Sequence, residues 1–65
     1  MIEISMRNLR QLLQDAEIRT IKEFASRSGL NRATISRMFK RGKITLRSAL
    51  KVAKCLHVNI NEFAN

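Results

Sequence analysis

Three observations predict an all-α domain. The chain contains no Pro and only two Gly. Helix-forming residues fill most of it. Within each stretch the apolar residues recur at helical spacing, behind polar residues of the kind that cap helix starts. Sixty-five residues make one domain, 1–65, with no room for a second. A chain this short buries only about 60% of its unfolded surface, so its stability should be modest. At 45% hydrophobic it still has enough apolar material for one helical core. The expected architecture is a compact bundle of five helices.

Ser5 caps a first helix, in which Met6, Leu9, Leu12, Leu13 and Ala16 follow helical spacing. It ends near Asp15 to Glu17, and Ile18 enters the core through the connection. Thr20 and Glu23 form a Thr-x-x-Glu capping box that starts the second helix at Ile21. That helix ends before Gly29. Asn31 caps the third, which runs to about Lys40, and Gly42 lies where a C-terminal cap belongs. Thr45 caps the fourth, with Leu46, Ala49, Leu50, Ala53 and Leu56 expected on its buried side. Asn59 and Glu62 form a second capping box, starting a short fifth turn that anchors Ile60 and Phe63. Residues 1–5 are a flexible arm or a short strand, since Ile2 and Ile4 alternate around Glu3.

Charge is distributed unevenly. The net charge is +8. In residues 1–23, Arg7, Arg10, Arg19 and Lys22 balance Glu3, Asp15, Glu17 and Glu23. Residues 24–65 carry nine basic side chains against Glu62 alone and so hold the whole excess. Such polarity points to a polyanionic partner on one face.

The stretch Thr20 to Lys40 narrows the choice. Ala25, a Gly four residues later and an Ile six after that keep the spacing of a DNA-binding helix-turn-helix. Ala25 lets two helices approach closely. Gly29 sits where the chain turns sharply and φ is often positive, a conformation costly for residues with a Cβ. Ile35 plugs the second helix of the motif into the core, with Phe24, Leu30 and Met38 around it.

This motif, the Arg41-Gly42-Lys43 loop and the segment Thr45 to Val58 together resemble the Xre family, which includes the Cro and repressor proteins of temperate phages. The resemblance covers roughly residues 6 to 63. Thr20 to Met38 alone is also similar to the headpiece of LacI-type repressors. The upstream helix at 6–16 and the lack of a hinge or sugar-binding domain favour the Xre reading. The resemblance implies a lambda-repressor-like fold whose third helix enters the major groove of double-stranded DNA. Two positions depart from the family pattern: Ile21 stands where many relatives have a phosphate-touching Gln, and His57 where a Gly usually follows the fourth helix. Histidine is enriched among non-Gly residues with positive φ, so the turn survives at some cost.

By resemblance, the base-reading positions fall on Arg32, Ala33 and Arg37, with Asn31 and Ser36 at the margin. Arg can pair two donors with O6 and N7 of guanine, and an Ala methyl can pack on a thymine methyl. Phosphate contacts fall on Thr34, Lys40, Arg41, Lys43 and Arg47, and on Ile21 through its backbone amide. Lys51 and Lys54, further along the fourth helix, read as solvated. Relatives bind palindromic operators as dimers, with half-sites about one turn, roughly 34 Å, apart. A weak homodimer strengthened on DNA is therefore expected. Its interface would be Val58, Ile60 and Phe63, helped by Phe39, or Ile2 and Ile4 paired as strands across a two-fold.

Other classes are disfavoured. No nucleophile, base and orienting group occur together, so an enzyme is not expected. Cys55 and His57 alone cannot make a metal site, and no cofactor or small-molecule ligand is expected. No apolar run approaches the about 18 residues of a membrane span, and no signal-peptide pattern occurs, so a cytoplasmic protein is expected. The function expected is a sequence-specific transcriptional regulator, first a phage or prophage repressor or Cro switch. The alternatives are an autorepressing antitoxin, or a protein- or RNA-interaction module on the same fold.

Overall fold

The computed structural model describes all 65 residues as four α-helices, two two-residue strands and one 3-10 turn. In chain order these are β1 (Ile2–Glu3), α1 (Met6–Asp15), α2 (Ile21–Ser28), α3 (Arg32–Arg41), β2 (Lys43–Ile44), α4 (Leu46–Leu56) and a final turn at Ile60–Glu62. None of the helices is long and apolar enough to cross a membrane.

The helix starts lie where local chemistry puts them. Ser5, Thr20 and Thr45 each accept a hydrogen bond from the amide three residues on, at 3.3, 3.0 and 3.2 Å. Asn31 Oδ1 accepts from the Ala33 amide at 2.7 Å. The box at α2 is only half made in the expected way, because Glu23 Oε1 accepts from the Arg19 amide, 3.2 Å away, one residue before the cap. The ends follow the same logic. Gly29 and Gly42 close α2 and α3 in the left-handed region, at φ 75° and 69°. His57 closes α4 at φ 58°, its amide and that of Val58 reaching back to the carbonyls of Lys54 and Ala53.

Fourteen apolar side chains form one core, with Leu9, Phe24, Ile35, Met38, Ala49, Val52 and Phe63 at its centre. Ile35 is fully buried and Ala25 lies under α4's side of the bundle, where α2 packs against both α3 and α4. Ring edges of Phe24 and Phe39 meet at 6.3 Å between centroids.

Three expectations need correction. The fifth helix is a 3-10 turn of three residues, too short to be α. The domain is not purely helical either. Ile2 pairs with Ile44 and Glu3 with Lys43, antiparallel, and Ile4 bridges to Ala64. The N-terminal segment is thus a strand held on both sides, since the Ile4 amide donates to Gly42 and the Asn65 amide to Glu3. Finally, Leu46 and Leu50 are 56% and 54% exposed, while the buried stripe of α4 is Ala49, Val52, Ala53 and Leu56. At 100° per residue the two leucines fall on the flank of that stripe.

Candidate nucleic-acid interface

The third helix supplies an exposed, acid-free face. With Ile35 and Met38 buried, helical periodicity turns Ala33, Ser36, Arg37 and Lys40 outward, with Arg32 at one edge and Arg41 at the other. All six are exposed. Asn31 stands just before them, its side chain engaged as the cap. Arg37 lies back over its own helix, Nε donating to the Ala33 carbonyl at 3.4 Å.

Cations gather between this helix and the start of α4. A cleft of about 290 Å³ is lined by Thr34, Arg37, Arg41, Lys43, Thr45 and Ser48, with Met1 at its mouth. The β1–β2 ladder fixes Lys43, and the Gly42 turn aims the chain from α3 into it. At the adjoining helix start, Thr45 occupies the Ser48 amide, leaving the first two amides of α4, those of Leu46 and Arg47, without helical partners. Those amides and the positive end of the helix dipole add to the three basic side chains. Ile21 occupies the equivalent place on α2: Thr20 takes the Glu23 amide, and the Ile21 amide stays free beside a half-exposed side chain. The only ion pair in the molecule joins Arg27 to Glu23, at 3.3 Å, so no cation of this face is ion-paired, and the one acid set against them is Glu3, opposite Lys43 in the strand pair.

The arrangement suits an extended polyanion, with a row of charges and amides flanking a helix whose outer side chains can reach base edges. Sequence reasoning missed Ser48, in the first turn of α4, and Met1, which the strand pairing brings to the cleft. The alternation of Ile2 and Ile4 and the Lys43-Ile44 pair were the available signals.

The residues expected at a subunit interface are placed differently from one another. Phe63 is fully buried and Ile4 4% exposed, so neither has surface left for a partner. Ile4 cannot pair across a two-fold because both edges of its segment are taken. Ile2, Phe39, Val58 and Ile60 are half-buried.

No set of three metal-binding side chains comes together. Burial raises the Cys55 thiol above its ordinary pKa, partly offset by the charge of Arg27.

Residues 8–65 match the family model of the Cro/C1-type HTH DNA-binding domain. No curated protein and no solved structure is significantly similar to the chain.

Proposed function

The chain belongs to the Cro/C1-type helix-turn-helix family of DNA-binding domains, and from that premise we propose that it is a phage- or prophage-type repressor binding an inverted-repeat operator. The observation that carries this reading is the outer face of α3, where Arg32 and Arg37 stand exposed among small side chains with no acid near them. In this account α3 lies in the major groove and each half-site holds at least one G met by Arg32 or Arg37. Lys40, Arg41, Lys43 and Arg47, with Thr34 and the amides of Ile21, Leu46 and Arg47, hold the phosphates on either side.

The test is to measure Arg32→Ala and Arg37→Ala against a panel of point-mutated sites. Each variant should lose about 1–3 kcal/mol and become indifferent to one base pair. Equal weakening on every sequence would make that arginine a phosphate contact.

One recognition helix covers roughly four or five base pairs, which is too few for a unique operator, so the reading requires two copies. The surface that supports a second copy is the flank of α4 carrying Leu46 and Leu50. It faces away from the helix-turn-helix, since Ser48 and Cys55 on the opposite flank line the clefts shared with α3 and α2. Val58 and Ile60, half-buried after the end of α4, extend it. Burying the exposed half of four leucines is worth about 4 kcal/mol at most, a millimolar dimer in free solution. Two subunits seated on one operator raise each other's effective concentration, so DNA binding would supply the rest.

A further inference from the structure

Nine basic residues follow Glu23 in the sequence, and the proposed DNA face uses six of them. The remaining three, Arg27, Lys51 and Lys54, come from different helices, yet they converge on one open cleft of about 610 Å³, joined by His57. Arg27 is held there by its ion pair to Glu23, and neither lysine has an acidic partner. This cleft shares no residue with the one around Arg41 and Lys43. It is built on the second half of α4, Lys51 onward, whereas the other takes Thr45 and Ser48 from the start of that helix.

The lining states what the cleft can hold. Its one apolar member is Cys55, and no Phe, Tyr or Trp ring is present to anchor a protein partner. The Ser28 hydroxyl is already committed, donating to the Phe24 carbonyl at 2.7 Å and accepting from the Leu30 amide. What is left is two unpaired lysines beside the ion-paired Arg27, in a wide, shallow opening, which suits the phosphates of a polymer and lacks the apolar enclosure of a small-molecule pocket. A chain bound to its operator has one such polymer at high local concentration, the neighbouring DNA. We propose that Arg27, Lys51 and Lys54 form a second, sequence-independent DNA-backbone site, through which the operator-bound protein captures another duplex segment. The proposal rests on the DNA-binding reading above.

The experiment measures energy transfer between two labelled duplexes. The donor duplex carries the full selected operator and the acceptor duplex an unrelated sequence, at about 50 mM salt, where backbone contacts are strong. Wild-type protein should bring the two together. K51Q/K54Q should abolish the transfer while binding the donor duplex with unchanged affinity, and K51R/K54R should retain it. R7Q/R10Q removes the same charge from α1 and should retain it too. Loss of two phosphate contacts should flatten the salt dependence of the second binding event by about 1.8 in log–log slope. Transfer that survives K51Q/K54Q, or disappears equally in R7Q/R10Q, overturns the proposal. So does a wild-type protein that saturates the donor duplex without transfer. If K51Q/K54Q weakens donor binding as much as K43Q/R47Q does, the lysines belong to the first interface and the second site is refuted. Failure to bind the donor duplex at all would instead remove the operator reading beneath it.

Discussion

Replacing Arg41, Lys43 and Arg47 together by Gln should change the salt dependence of DNA binding more than any other property of the protein. The three side chains are exposed, and none is in an ion pair within the chain. With Lys40 they give about four phosphate contacts per subunit, hence a log K against log salt slope near −3.6 per subunit. Between 50 and 200 mM salt, wild-type affinity should fall about 150-fold per subunit. Removing three contacts leaves a slope near −0.9 and a fall of about 3.5-fold over the same range. Fluorescence anisotropy on one operator duplex at four or more salt concentrations would read this directly. Thermal unfolding should be little changed, because none of the three supports the core. A variant that binds more weakly at every salt but keeps the wild-type slope would show that these cations do not neutralise phosphates, and the electrostatic half of the account would fall.

Three further outcomes are expected. Ile35→Ala empties a fully buried position and should cost about 2–5 kcal/mol in chemical denaturation, a large share of the roughly 3–10 kcal/mol expected for a domain this size; a loss below 1 kcal/mol would mean that the helix-turn-helix does not depend on this plug. Leu50→Gln should leave the monomer's melting temperature near wild type but reduce binding to the full inverted repeat, with half-site binding unchanged; equal loss on both would place Leu50 elsewhere than at a subunit interface. His57→Gly relieves a residue held at φ 58° and should raise stability by about 1 kcal/mol, visible as a higher melting temperature, whereas a lower one would show that the imidazole makes contacts worth more than the strain.

Which features could be read from the sequence follows from how far their causes reach along the chain. Ser5, Thr20, Asn31 and Thr45 each act on an amide two or three residues away, so the starts of α1 to α4 were visible in short windows. Gly29, Gly42 and His57 were legible for the same reason, each being a local choice of backbone conformation. The face of α4 was not. Leu46, Ala49, Leu50, Val52, Ala53 and Leu56 span about 160° of the helix circumference, and the packing of α4 in the bundle decides which edge of that arc, the one with Val52 and Leu56, turns inward. The strands were ambiguous because two residues of β1 acquire their meaning from β2, forty positions away, and from Ala64 at the other end of the chain. Phe63 looked like a candidate for an interface because it is a large apolar residue near the chain end, yet the backbone bond from the Ser5 amide to the Phe63 carbonyl folds that end into the core. The basic half with Glu62 as its one acid was plain in the sequence; its division between two separate clefts needed the packing of α2 against α4.

The most direct test of the central claim is selection of bound sequences from a random duplex library, at about 150 mM salt so that backbone attraction alone is suppressed. The account predicts an enriched inverted repeat with a G in each half, the two centres about one helical turn apart. Binding that fades evenly with salt and enriches no sequence would contradict it.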